Sequence, residues 1–330
     1  MDLEPSPDQE ALRDELRRFL DRRVTSESRR ACAAYPGAVD RALWSELAAL
    51  GVFGVLVPES RGGLGLGLAE AAIVAEELGR AAVPGPLAAT LVGAPLSYGA
   101  AAGEEILGIV EPARPLLVEH LEALDALLVV TERSVARVEP PQPPATGAVA
   151  RPLDPLTPVH VLDAMPAGGT PLGDAETVDR LRRDAALVAA AQQIGLGQAA
   201  LELGTAHAAE RVQFGRVIGS FQAVKHLLAD AHVDLDVARA AVHAAAVEED
   251  EARAGAAAVR PTCGIDAARV VASRAALRAT AACVQVHGGM GYTWELDAHL
   301  FLKRVEVLDV WLQRPEEALE ARARRLVPAG

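Results

Sequence analysis

The chain has 330 residues, 51% of them hydrophobic and 23% charged, which is enough to bury a sizeable core and too apolar for disorder over its bulk. A net charge of -13 excludes nucleic acid as the main partner, because phosphate binding needs a basic field; a local basic pocket stays compatible with it. Cys32, Cys263 and Cys283 are too few for a disulfide framework and none has metal-ligand spacing, so no metal is expected. With no leader-like N-terminus and no charge-free apolar run of spanning length, the sequence reads as soluble and cytoplasmic, with no membrane contact.

Leu12, Leu16, Phe19 and Leu20 follow helical spacing near the start. A second helix is expected from Asp40, a good N-cap, to Gly51, a good stop, with Leu43, Leu47 and Leu50 inward. Val52 to Val57 reads as a short extended piece, Pro58 to Gly63 as a turn, and Leu68 to Arg80 as a third helix. Composition changes near residue 111. Ala126–Val130, Val135–Val138 and Val159–Leu162 read as strands, and prolines between Pro140 and Pro171 argue against helix there. Long helical patterns then cover Asp179–Phe214, Gly219–Ala254, Thr262–Val286 and Trp294–Gln313, the last capped by Thr293. The expected fold is mainly α: a helical domain over 1–110, a small truncated β region over 111–176, and a C-terminal four-helix bundle, up-down, over 177–330.

Two segments carry chemistry. One is Glu210-Arg211-Val212-Gln213-Phe214-Gly215-Arg216, continuing to Phe221-Gln222; the other is Gln285-Val286-His287-Gly288-Gly289-Met290-Gly291-Tyr292. A guanidinium at Arg211 can fork across two phosphate oxygens. Phe214 can lie against a flat ring, Gln213 or Gln222 can give directional hydrogen bonds, and Gly288-Gly289 lets backbone N–H groups approach an anion. Singly, each has an ordinary explanation: a solvated helix-end arginine, a simple turn. His287 reads as a polar helix-end residue, and Tyr292 and Trp294 as packing residues.

Together with Trp44 to Arg80, which contains Pro-Glu-Ser-Arg-Gly-Gly and Glu-Glu-Leu-Gly-Arg, these segments closely resemble the acyl-CoA dehydrogenase family over about 1–105 and 178–312. The resemblance implies an FAD whose pyrophosphate and adenine half is held by Arg211, Gln213, Phe214, Gln222, Gln285, Gly288 and Gly289, the flavin belonging chiefly to a neighbouring subunit. It also implies an acyl-CoA substrate and electron transfer flavoprotein as acceptor.

The sequence departs from the family where the chemistry happens. The usual glutamate base, 24 residues after the first glycine of the pair, falls at Leu312, or at Gln313 with a slip of one. The alternative position, 26 residues before Arg211, falls at Ala185. Asp184 is next to it, but one helical residue turns its direction by about 100°. Glu306 and Asp309 rank lower still. The middle-domain motifs that grip the flavin ring and CoA are absent. The resemblance is therefore to the non-catalytic partner subunit of actinobacterial heteromeric (α2β2) acyl-CoA dehydrogenases, with a homologous catalytic subunit supplying the glutamate and a sterol side-chain CoA ester as one candidate substrate. Two other functions fit the same residues: a self-sufficient homomeric flavoenzyme using Asp184, and a non-enzymatic subunit that stabilises or regulates a relative.

Overall fold

The computed structural model describes residues 4–35, 39–112, 115–142, 146–255 and 264–312, with scattered positions to 324. Thr262, Cys263, Gln313 and Pro315 lie outside the described residues. Helices dominate, and the contact pattern separates two compact units that interleave along the chain: 1–26, 72–82 and 189–330 form one, 27–71 and 83–188 the other.

The first unit begins with α1 (Pro7–Arg23), opened by a capping box in which Ser6 accepts from the Gln9 N–H and Gln9 returns the bond. It also takes most of α4 (Leu68–Arg80) and most of α7 (Ala175–Glu210), then α8 (Gln222–Arg253), α9 (Gly264–His287) and α10 (Ala298–Asp309). α9 packs against α8 and α10. Leu196 and Ala200 of α7, Ala276 and Val284 of α9, and Phe301 and Val305 of α10 share one buried cluster. Alanine is common on these faces because small side chains allow helix axes to come close.

Glycine makes the closest approaches. A Cβ on Gly195 of α7 would lie 1.9 Å from the Glu76 carbonyl oxygen of α4, and one on Gly79 would lie 2.1 Å from that of Gln192. Charge ties the same helices. Glu77, 1% exposed, accepts from Arg17 of α1 at 2.9 Å and from Arg80 at 3.0 Å. Glu76 accepts from Arg239 of α8 at 2.8 Å, and Arg239 also donates to Gln198. Arg269 of α9 is fully buried; it donates to Gln193 at 2.6 Å and to the Leu308 carbonyl, so it satisfies the C-terminal end of α10. Burial lowers its pKa to about 10, which leaves it charged, with Asp309 as counter-charge.

The second unit holds α3 (Arg41–Ala49), α5 (Leu87–Gly93), α6 (Tyr98–Ala101), most of α2 (Ser26–Ala34), the first turns of α7, and seven strands. β1 (Leu107–Val110), β3 (Ala126–Val130), β4 (Val135–Val138) and β7 (Thr170–Gly173) form one sheet in the order β1-β3-β4-β7, with β1 parallel to β3 and the other pairs antiparallel. β2 (Leu116–Glu119), β6 (Val159–Leu162) and β5 (Thr146–Ala148) form an antiparallel second sheet in the order β2-β6-β5. Every residue of β3 is buried, which explains its unbroken apolar run. Trp44 stacks on Phe53 at 4.4 Å in this unit's core.

Several expectations change. Val52–Gly54 is a 3-10 turn, not an extended piece, because Gly51 at φ +83 ends α3 and sends the chain straight into a new turn. The last helix starts at Ala298 rather than Trp294. The Thr293 hydroxyl donates to the Met290 carbonyl, so it closes the preceding turn instead of capping α10. Asp40 caps α3 as expected, accepting from the Ala42 and Leu43 N–H groups.

Two outcomes are expected. Gly195→Ala should cost about 3 kcal/mol or more in a denaturant melt, since backbone must move, whereas Gly147→Ala, with open space around it, should stay within about 0.5 kcal/mol. Burial pushes the Glu76 carboxyl up, but hydrogen bonding from His243 and the charge and hydrogen bond of Arg239 outweigh it and hold the group below its ordinary 4.5. That stability is present above pH 4.5 and is lost as pH falls through the depressed folded value. The difference between melts at pH 7 and about pH 3.5 should therefore shrink in Glu76→Gln.

Candidate functional site

α7 ends at Glu210, one turn before the sequence pattern suggested, and the chain enters a hairpin of β8 (Val212–Gln213) and β9 (Arg216–Val217). Phe214 and Gly215 form its two-residue loop with φ +52 and +78, the paired positive values of a type I′ turn. Asn-Gly is the usual filling; a phenylalanine there is strained. Its ring is 91% exposed, with an edge contact to Phe221 at 6.1 Å. The Arg216 guanidinium lies 4.0 Å over the Phe221 ring and props the hairpin from behind. The Ile218 N–H donates to the Arg211 carbonyl at 2.8 Å, anchoring the hairpin to the end of α7.

Arg211 is exposed, and among the described residues its guanidinium has no ion pair or hydrogen bond. Gln213 donates to the Val212 carbonyl at 2.8 Å. Gln222 and Gln285 are exposed at the first turn of α8 and the last of α9. Gly288 and Gly289 follow α9 directly, exposed, with Gly288 at φ +60 and nothing within 4 Å of where a Cβ would stand on either. A flat anionic ligand could therefore reach this backbone unobstructed.

The Arg211 and Gly288 segments are brought to one end of the helical unit by a close contact. At Gly204 of α7 an added Cβ would lie 3.3 Å from the Cα of Cys283 of α9. One turn further on, His207 of α7 stacks on His287 of α9 with ring centroids 4.2 Å apart. His287 is buried, with Nδ1 2.8 Å from the Cys283 carbonyl oxygen, which makes Nδ1 the donor. The Cys283 thiol lies beneath and burial pushes it up to about 12, so it stays protonated. His207 is held below its ordinary value by partial burial, then by His287 and Arg211, with Glu210 opposing. Sequence reasoning missed His207; its place four residues before Arg211 on one helix face was the available signal. Tyr292 and Trp294, expected to pack, are 74% and 55% exposed; Trp294 meets His299 edge-on at 5.1 Å, with the Lys303 ammonium 5.7 Å from its ring.

The candidate base positions lie elsewhere or carry no base. Leu312 is half-buried at φ +57, and Asp309 accepts from Ser273. Glu306 is exposed. Asp184 is 2% exposed and lies 3.9 Å from Arg180, while Arg182 donates to Glu111. Asp184 lines a cleft of about 330 Å³ with Arg61, Arg180, Leu181, Val92 and Leu96, within the second unit. Arg61 donates to the Pro95 carbonyl at 2.7 Å and lies over the Tyr98 ring. Among the described residues no group of three or more His, Cys, Asp or Glu could hold a metal, and no helix is long and apolar enough to cross a membrane.

Phe214→Asn should raise stability by about 0.5–1 kcal/mol by relieving the positive-φ strain, read in a thermal melt, while Phe214→Leu should not.

The chain matches the family model of the acyl-CoA dehydrogenase N-terminal domain over residues 6–103 and that of the C-terminal domain over 181–312. It is 35% identical to the acyl-CoA dehydrogenase IpdE2 of Mycobacterium tuberculosis, covering 96% of both chains. It is 33% identical to FadE34 of the same organism over 86% of this chain and 43% of that one. In fold it is similar to a chain in the structure of the ChsE4-ChsE5 complex from Mycobacterium tuberculosis, with a TM-score of 0.83, 22% identity and complete coverage of both chains. A chain of the Tcur3481-Tcur3483 steroid ACAD G363A variant gives 0.80 and 24% over 97% of each. The helical fold, the Arg211 hairpin and the Gly288-Gly289 turn thus have their explanation in descent: this chain belongs to the acyl-CoA dehydrogenase family.

Proposed function

We propose that this chain is the non-catalytic subunit of a heteromeric, FAD-dependent acyl-CoA dehydrogenase, and that it holds the adenine and pyrophosphate half of a flavin lying across a subunit interface. The observation that carries the reading is a division within one chain. The phosphate-side groups are exposed and unobstructed, while the positions of the family's base hold Leu312 and Ala185. Donor chemistry fits the group: an unpaired guanidinium and open glycine backbone suit a pyrophosphate, and the exposed Phe214 ring suits a flat heterocycle. When bound, FAD supplies the hydride acceptor for α,β-dehydrogenation of the thioester. Arg211 fixes the phosphates, Phe214 covers the adenine end, and Gln213, Gln222 and Gln285 direct its polar edge. The proton at the substrate α-carbon is taken by a glutamate of a homologous catalytic subunit, in an α2β2 assembly.

The substrate is an acyl-CoA, with a steroid side-chain ester favoured by the likeness to the Tcur3481-Tcur3483 steroid ACAD, and electron transfer flavoprotein is the acceptor expected of the family. Asp184 does not replace the missing base in this reading, because it is 2% exposed with its carboxylate toward Arg180.

Flavin absorbance per chain tests this on protein purified alone and co-expressed with the homologous gene beside its own. Little colour alone, and about one FAD per heterodimer together, is the expected result. A yellow homomer that bleaches with an acyl-CoA overturns it. In the complex, Arg211→Ala should weaken FAD retention by about 2 kcal/mol. Unchanged flavin content in that variant would favour the stabilising or regulatory role.

A further inference from the structure

We infer that His207 is a third phosphate-binding group of this site and that nucleotide binding is accompanied by uptake of a proton on its imidazole. The inference rests on the reading of the Arg211 and Gly288 segments as a pyrophosphate site. His207 occupies the ground between them. It precedes Arg211, the residue just past the end of α7, by four residues, and the Arg211 N–H donates to the His207 carbonyl at 2.9 Å, which holds the two positions one helical turn apart. Its ring stacks at 4.2 Å on His287, the residue directly before Gly288, and both lie at the end of the helical unit where α7 and α9 meet through Gly204 and Cys283.

The surroundings are built for a change of charge. The charged and titratable groups facing His207 are Glu210 on its own helix, Arg211 just past the end of that helix, and His287, with Cys283 beneath it, on α9. Partial burial comes first, then His287 and Arg211, in keeping the imidazole below its ordinary value; Glu210 opposes them. His287 is fixed by its bond to the Cys283 carbonyl, and the Cys283 thiol stays protonated, so neither supplies a negative charge. A pyrophosphate placed against Arg211 and Gly288 would bring two negative charges, enough to reverse the balance at His207. The imidazole would then bind a proton and donate a charge-assisted hydrogen bond to a phosphate oxygen. No bond is made or broken; the proton comes from solvent.

The sign follows. The proton is bound more tightly when nucleotide is present, so affinity rises as pH falls through the bound-state pKa and levels off below the lower free-state value. FAD itself has no group that titrates between pH 5.5 and 8.5.

The test is calorimetric titration of FAD into the full chain, in its flavin-binding assembly after flavin removal, across that pH range and in two buffers of different ionisation heat. Wild type should take up a fraction of a proton near neutrality and bind about fivefold tighter at pH 6 than at pH 8. His207→Gln should lose both the uptake and the slope while binding as wild type does at pH 8. Arg211→Ala should weaken binding at every pH and keep the slope. Binding without proton uptake in wild type, which needs no variant to fold, overturns this inference alone, as does a slope that persists in His207→Gln. No FAD binding by wild type at any pH overturns the subunit reading as well.

Discussion

The helical unit depends on how closely α7 comes to the helices around it. Gly195 and Gly79 allow backbone to meet backbone between α7 and α4, and Gly204 does the same in milder form against α9. Polar links lie beside that contact: Arg239 of α8 donates both to Glu76 of α4 and to Gln198 of α7, and Gln193 of α7 accepts from Arg269 and donates to the Val305 carbonyl. A side chain at Gly195 would disturb more than its own contact. It would shift the far end of α7, from which the hairpin and Arg211 project.

The proposed nucleotide end is built differently from the core beneath it. Below, Cys283, Val284 and Ala276 are buried and their neighbours interlock. Above, Phe214 sits in a conformation that suits asparagine or glycine and is almost wholly exposed. Local preference and observed structure disagree at this turn, and such disagreements concentrate where function is served. Leu312, also at positive φ, is a second such conflict.

Much of this was legible in the sequence. The strands at 126–130, 135–138 and 159–162 were readable because each is rich in valine and leucine and bounded by turn residues. β1, β2, β5 and β7 were not; Thr-Gly-Ala and Thr-Pro-Leu-Gly carry turn residues and gain their identity from pairing with β6 and β4, partners invisible along the chain. Thr293 looked like a cap since threonine often is one; that its hydroxyl turns back to Met290 is settled by tertiary packing. The motif residues could be named from spacing, but the stack of His207 on His287 joins positions 80 residues apart and follows only from the meeting of two helices.

The helical unit is also discontinuous in the chain. Its parts come from residues 1–26, 72–82 and 189–330, joined by contacts such as Arg17 to Glu77 and Glu76 to Arg239, the latter across 163 residues. During synthesis, at roughly 5–20 residues per second, α4 leaves the ribosome about 8–30 seconds before Arg239, the partner of its half-buried Glu76, exists. Until then the apolar face of α4 lacks the cover that α7 and α8 give it in the folded unit. Contacts of such long sequence separation also make folding slow. Production of this chain is thereby sensitive to how long α4 waits for the rest of its unit.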